Sequence, residues 1–211
     1  RVITPDLPGF GYSNKVTPCN SINSMAKSIL DVIDHLGINK FHLLGHSMGG
    51  MIVQEMTKLA GDKVEKLICY GTGPRGNMPE RFETIDQSRD RLKIEGLTNT
   101  AHRIAKTWFV KEDKAKHFDL CSKAGKLATL EAADFALVAM KNWDGLENLK
   151  NIKNKTLIIW GNKDRAYNRN QVDTLNEKIT DSNLIIFEGC SHNVHLENSD
   201  KFNKTVRDFL L

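Results

Sequence analysis

The chain has 211 residues, of which 40% are hydrophobic and 27% charged, and its formal net charge is +4. This composition is typical of a globular protein with one α/β core and room for an insertion. The lysines are scattered, and no apolar run approaches the roughly 18 residues that a membrane span needs. We therefore expect neither nucleic acid nor a membrane as a partner.

The first predicted elements lead to a glycine-rich turn. Val2–Pro5 predicts a strand, and apolar residues at helical spacing predict a helix over Ile22–Leu36, which Gly37 ends. The apolar run Phe41–Leu44 predicts a buried strand directly before Gly45-His46-Ser47-Met48-Gly49. A second helix is predicted behind that turn, because apolar residues continue there at helical spacing: Met51, Ile52, Met56 and Leu59.

The turn at Ser47 carries the clearest chemical signal. Strand, Gly-x-Ser-x-Gly and helix together form a nucleophile elbow, which exposes the serine hydroxyl on a sharp and strained turn. We expect side chains in place of Gly45 and Gly49 to collide with the neighbouring strand and helix. The five-residue pattern alone also arises by chance as a glycine-rich turn, but between a strand and a helix it indicates a nucleophile.

The remaining elements are strands on either side of a long helical segment. A strand is predicted at Val64–Tyr70, and helical patterns without strands follow over residues 74–151. Strands return at Thr156–Gly161 and Asn183–Glu188, with a helix at Gln171–Ile179 between them and a terminal helix from Ser199. The predicted organisation is a first core part (1–73), a helical cap (74–151) and a second core part (152–211).

A nucleophilic serine requires a histidine to take its proton and a carboxylate to orient that histidine. Asp164 follows the strand Thr156–Gly161, and His192 follows the strand Asn183–Glu188. The carboxyl ends of strands are where active sites collect in open α/β sheets. The order Ser, Asp, His is also the order of this architecture. Two alternatives remain. Asp164 is a simple turn or capping residue, or His195 rather than His192 is the base.

Four segments, in order, resemble the α/β-hydrolase superfamily: Val2–Ser13, Gly45–Gly49, Trp160–Arg165 and Gly189–Asn198. The resemblance implies an α/β fold with a mostly parallel sheet, flanking helices and a helical cap. It also implies Ser47 as nucleophile, Asp164 as acid and His192 as base, with no cofactor and no metal. The family histidine stands five positions before a glutamate, as His192 does before Glu197, which favours His192 over His195.

The resemblance also implies two donors for the oxyanion. One is the backbone N–H of Met48, the residue after the nucleophile. The second comes in the family from a loop after an earlier strand, often marked by His-Gly, and we do not find it in this chain. Our hypothesis is an N-terminally truncated sequence of a longer protein, with the 211-residue chain poorly stable and weakly active.

The function implied is hydrolysis of a small carboxylic ester or lactone, as in carboxylesterases and 3-oxoadipate enol-lactonase. The alternatives are carbon–carbon hydrolysis of aromatic ring-cleavage products and ligand binding without turnover. We predict substrate contacts from His46, Arg75, Trp108 and His195. For Arg75 and Trp108, and for Arg103, which we also consider, a solvated or packing role is the simpler interpretation. We expect His195 to line the pocket or pack beside it, and His46 to support the site rather than to react.

The four cysteines have neither close pairing nor metal-like spacing: Cys19, Cys69, Cys121 and Cys190. We therefore expect reduced thiols and a cytoplasmic location. The oligomeric state stays open.

Overall fold

A computed structural model describes residues 1–78 and 80–211. Its centre is a four-stranded parallel sheet with the strand order β1-β2-β3-β4. The strands are β1 (Phe41–His46), β2 (Val64–Tyr70), β3 (Lys155–Gly161) and β4 (Ser182–Phe187). Because parallel strands share one direction, all four carboxyl ends lie at the same edge of the sheet. The predicted α/β class with a parallel sheet and flanking helices is confirmed.

Eight α-helices in the described ranges join and cover the strands. They are α1 (Ile22–His35), α2 (Met48–Ala60), α3 (Ile85–Thr107), α4 (Phe118–Ala124), α5 (Leu130–Asn142), α6 (Arg169–Lys178), α7 (Val194–Glu197) and α8 (Ser199–Leu210). No helix in the described ranges is long and apolar enough to cross a membrane.

The core lies on both faces of the sheet, as the alternation of side chains along β3 shows. Ile158 and Trp160 pack with α1, α2 and α6, whereas Leu157 and Ile159 pack on the opposite face with Phe202 of α8. This period of two places alternate residues of a strand on opposite faces. Both faces are therefore apolar, which explains the nearly continuous hydrophobic runs in the strand sequences.

Helices and short turns fill the chain between β2 and β3. In the described part of residues 74–151 no pairing longer than an isolated bridge occurs, and α3 is interrupted at Gly96, whose φ is 74°. The two ends of this segment are joined, since Gly76 N donates to Trp143 O at 2.9 Å and Gly145 N donates to Pro74 O at 2.9 Å. We call residues 74–151 the predicted cap, because its role as a cap stays a prediction.

The predicted strand Val2–Pro5 is wrong for this structure. These residues form no regular element, and the side chains of Val2 and Ile3 are 88% and 38% exposed. A strand requires a neighbour to satisfy its backbone groups. No described segment pairs with this one, so its apolar pattern alone is not enough.

Candidate active site

Ser47 occupies the turn between the last residue of β1 and the first residue of α2. Its φ of 56° and ψ of −120° place a non-glycine residue in a strained part of backbone space. The neighbouring strand β2 holds this conformation. Ser47 N donates to Tyr70 O at 2.9 Å, and the Thr72 hydroxyl donates to Ser47 O at 2.8 Å.

The glycines around Ser47 differ in why they are needed. A Cβ on Gly45 would lie 2.1 Å from the backbone oxygen of Gly49, so the expected collision occurs there. At Gly49 the prediction is wrong, because no atom lies within 4 Å of the position of a Cβ and the residue borders a cavity. The second crowded position is instead Gly50, where a Cβ would lie 2.4 Å from Thr72 Cβ.

Asp164 and His192 form a buried pair at the same edge of the sheet. His192 Nδ1 lies 2.8 Å from Asp164 Oδ2, and their side chains are 1% and 0% exposed. The other carboxylate oxygen accepts from the backbone N–H groups of Ala166, at 2.7 Å, and Tyr167, at 3.2 Å. Asp164 thus accepts hydrogen bonds within its own turn and also pairs with His192, so its contacts are compatible with both interpretations, and its role as the acid stays a prediction.

The backbone around His192 is held by several contacts. Its carbonyl accepts from the Tyr70 hydroxyl at 2.7 Å and lies 3.1 Å from His46 Nε2. Ser191 N donates to the Glu197 carboxylate at 2.6 Å, which gives the five-residue spacing a physical basis. His192 is therefore placed by β2, by the elbow and by α7 together.

Ser47 and His192 line one cavity of about 530 Å³. In the described chain no hydrogen bond joins the Ser47 hydroxyl to His192. Met48 also borders this cavity and is the first residue of α2, where helical N–H groups lack an intrahelical acceptor. A smaller cavity of about 370 Å³ is lined by Lys155 and Asp181, near the amino ends of β3 and β4, far from the strand ends where active sites lie.

Comparison with known proteins identifies the family. The family model described as alpha/beta hydrolase fold matches residues 1–199. The chain belongs to the alpha/beta hydrolase fold family. Two curated proteins to which the chain is similar are bacterial hydrolases, and the chain is likewise a hydrolase.

The first of these is the 2-hydroxy-6-oxo-6-phenylhexa-2,4-dienoate hydrolase of Burkholderia cepacia. It is 29% identical over 229 residues, covering 100% of this chain and 77% of that protein. The 2-hydroxy-6-oxononadienedioate/2-hydroxy-6-oxononatrienedioate hydrolase of Escherichia coli is 32% identical over 225 residues, covering 100% and 76%.

Solved structures show the same fold. An esterase from Exiguobacterium antarcticum aligns with a TM-score of 0.87 and 25% identity, covering 97% of this chain and 79% of that one. The enol-lactonase from Burkholderia xenovorans aligns with a TM-score of 0.84 and 21% identity, covering 97% and 78%. The likeness to the enol-lactonase supports the fold alone.

Three of the four predicted substrate contacts lie at the cavity of this hydrolase. His46, Trp108 and His195 all line it, and the Trp108 ring centroid is 6.0 Å from that of His192. His195 Nδ1 also lies 2.9 Å from the Tyr70 hydroxyl, so its ring is fixed at the cavity wall.

Arg75 contradicts the prediction, since it is not among the residues that line the cavity. Its guanidinium lies 2.9 Å from the carboxylate of Asp144, in a pair that is half exposed at the base of the predicted cap. Arg75 lies away from the cavity because the two ends of the predicted cap are joined, and this places Arg75 beside Asp144.

Among the cavity residues that are not predicted from the sequence, two carry polar groups that matter for the chemistry, Arg81 and Tyr167. Arg81 lines the cavity, and its Nη1 donates to Glu83 O at 2.8 Å and to Ser88 Oγ at 2.9 Å. Burial lowers the pKa of this guanidinium, which nevertheless stays charged near neutral pH. Tyr167 lines the cavity three residues after Asp164, and that short distance along the chain is the signal that would have found it.

The histidines beside His192 are electrically neutral near pH 7. Burial lowers the pKa of His46 well below its ordinary value, and the charges of His192 and His195 lower it further. Burial also lowers the pKa of His195, followed by the charges of His192 and His117. Of the three histidines in this cluster, His192 is the one whose ring is paired with a carboxylate.

Proposed function

We propose that this hydrolase cleaves a small carboxylic ester or lactone through an acyl-enzyme on Ser47. The observation that carries the proposal is that Ser47, on its strained elbow, lines the same cavity as His192, whose Nδ1 lies 2.8 Å from the buried carboxylate of Asp164. A carboxylate-paired histidine and a serine hydroxyl in one cavity are the groups that nucleophilic acyl transfer requires.

The chemistry proceeds in two steps. His192 takes the proton of the Ser47 hydroxyl as Oγ attacks the carbonyl carbon, and the same proton then goes to the leaving oxygen. Water next attacks the acyl-enzyme, gives a proton to His192, and Oγ leaves with that proton. Asp164 maintains the tautomer of His192 and stabilises its charged form. The Met48 N–H donates to the oxyanion, an interaction worth about 2.7–4 kcal/mol where it has been measured.

The cavity indicates a small-molecule substrate. Its volume of about 530 Å³ lies within the range of roughly 300–1,000 Å³ that is usual for such sites. Apolar side chains of residues 74–151 form much of the wall, among them Phe82, Leu92, Leu137 and Met140. We therefore propose that the predicted cap covers the substrate and excludes water from the acyl carbon.

Carbon–carbon hydrolysis is the second candidate, and two observations favour it. The curated relatives are named as hydrolases of dienoates and dienedioates. In addition, Arg81 places a charged guanidinium at the cavity, where it would suit a carboxylate. Such a reaction would use the same three residues but would first require ketonisation of a dienol.

The test is a substrate panel of p-nitrophenyl esters, an enol-lactone and a ring-cleavage dienoate. Turnover of the esters or the lactone at rates well above that of the dienoate supports the proposal, and the reverse order supports the second candidate. A serine-directed phosphonate should label the wild type and leave Ser47→Ala unlabelled. Wild-type activity in Ser47→Ala would exclude Ser47 as the nucleophile. A folded protein that is neither labelled nor active would favour ligand binding without turnover.

A further inference from the structure

Tyr167 is held rigidly beside the proposed base. The residue is 1% exposed, and its ring stacks on the His192 ring with a centroid distance of 5.8 Å and an interplanar angle of 13°. Its backbone is fixed at both ends of the residue. Tyr167 N donates to Asp164 Oδ1 at 3.2 Å, and Trp160 Nε1 donates to Tyr167 O at 2.9 Å.

The Tyr167 hydroxyl is buried and forms no hydrogen bond with any described residue. Leaving such a donor without a partner is costly, since burial removes it from water. Burial raises the pKa of this phenol, and that effect exceeds the lowering by the neighbouring hydroxyls of Ser47 and Thr72. The phenol is thus protonated at neutral pH and is available as a donor.

Ser47 Oγ is the suitable acceptor at this place. Thr72 donates its hydroxyl hydrogen to Ser47 O at 2.8 Å, which fixes the Thr72 side chain, so of the two neighbouring hydroxyl oxygens only that of Ser47 takes part in the reaction. Ser47 Oγ has no bond to His192 in the described chain, so its lone pairs are available. Tyr167 and His192 stack on one another at the cavity that Ser47 also lines, so the serine side chain shares this cavity with both rings.

We propose that Tyr167 is a further catalytic residue, which donates a hydrogen bond to Ser47 Oγ as that oxygen leaves the acyl carbon in deacylation. The inference rests on the proposed acyl-enzyme function. In deacylation, water loses a proton to His192 and bonds to the acyl carbon. The carbon–Oγ bond then breaks, His192 returns the proton to Oγ, and Tyr167 keeps its own proton throughout.

If Tyr167 has this role, loss of its hydroxyl affects acylation and deacylation differently. A donor on Oγ withdraws electron density, so it helps Oγ to leave but does not help it to attack. Loss of the hydroxyl should therefore slow deacylation and leave acylation unchanged or slightly faster. A purely structural role, through packing against His192, would slow both steps, because the base acts in both.

The test is Tyr167→Phe, which keeps the stacked ring and removes the hydroxyl. Acylation and deacylation rate constants are measured separately, by single-turnover release of p-nitrophenol and by the decay of the acyl-enzyme followed by mass spectrometry. We expect deacylation to fall by roughly ten-fold or more and acylation to change by less than about two-fold. In steady state, kcat and KM then fall together while kcat/KM is retained. Equal slowing of both steps, or no slowing of either, overturns the inference.

Tyr70→Phe is the matched control. It removes another buried tyrosine hydroxyl, which bonds the His192 carbonyl rather than the nucleophile. It should slow both half-reactions together. If Tyr167→Phe fails to fold, 3,5-difluorotyrosine at position 167 replaces it. A more acidic phenol is a stronger donor, so it should speed deacylation, and an unchanged rate would overturn the inference.

The same experiment separates this inference from the proposed function. If no acyl group is found on Ser47, the proposed function fails. If acyl-Ser47 forms and decays equally fast in wild type and Tyr167→Phe, only the role of Tyr167 is wrong.

Discussion

Glu197 offers a test of how the candidate base is held in place. One carboxylate oxygen accepts from Ser191 N at 2.6 Å, and the other accepts from Val110 N at 2.8 Å. Ser191 is fully buried, and the residue that follows it is His192. Removing the carboxylate in Glu197→Ala leaves both N–H groups without their acceptor, one of them away from water.

The expected loss follows from these two bonds. A hydrogen bond to a charged acceptor contributes about 1.5–3 kcal/mol, and the buried Ser191 bond should lie in that range. The Val110 bond is exposed to solvent and should contribute about 0.5–1 kcal/mol. We therefore expect Glu197→Ala to lower the free energy of unfolding by about 2–4 kcal/mol. Glu197→Gln, which keeps one acceptor oxygen, should cost less than Glu197→Ala.

The assay is urea unfolding at pH 7, together with kcat/KM on a p-nitrophenyl ester. Glu177→Ala is the control, because Glu177 is exposed and forms no side-chain hydrogen bond with a described residue. The control should stay within about 0.5 kcal/mol of wild type. Activity of Glu197→Ala should fall because the His192 backbone is less well placed. If Glu197→Ala is as stable and active as the control, the carboxylate does not hold the histidine.

Three further changes test the elbow, the histidine cluster and the buried pair. In thermal unfolding, Gly45→Ala should lower the free energy of unfolding by about 3 kcal/mol, whereas Gly49→Ala should change it by less than about 1 kcal/mol. Equal effects of the two changes would contradict the crowding at Gly45. Burial lowers the pKa of His46 in the folded protein. Below about pH 6.5 the unfolded chain therefore binds a proton at His46 that the folded protein does not bind, so the free energy of unfolding falls as the pH decreases. His46→Gln should make this fall shallower, by up to about 1.4 kcal/mol per pH unit in urea unfolding between pH 7.5 and 5.5, and unchanged slopes would refute it. Asp164→Asn should reduce kcat by about 10⁴, and a loss below ten-fold would exclude the acid role.

The elements that the sequence predicts well are those whose signal is local. Strands β2 and β3 appear as apolar runs because both of their faces are buried, whereas the edge strand β1 has Leu44 exposed and is buried on one face only. The helix α1 appears through its helical spacing. Ser47 is found through strand, turn and helix together. The spacing from His192 to Glu197 is also local, because the carboxylate bonds the residue before the histidine.

The errors concern neighbours that local sequence does not contain. Gly49 borders a cavity rather than a strand, and Arg75 meets Asp144, which lies far along the chain. Val2–Pro5 has the composition of a strand but no pairing partner among the described residues. Tyr167 lies three residues after Asp164, but its stacking on His192 depends on residues far along the chain and is not visible in the local sequence.

The nucleophile and its base are anchored to different parts of the hydrolase, which has a consequence for engineering. Ser47 is held by Tyr70 and Thr72, within the sheet region. The His192 loop is bonded also to the end of the predicted cap's long helix, since Asn193 N donates to Trp108 O at 3.0 Å and Glu197 accepts from Val110. A chimera that receives the cap of a relative would keep its serine geometry but would alter the support of its histidine. Residues 108–110 should therefore stay with the core when caps are exchanged to change substrate range.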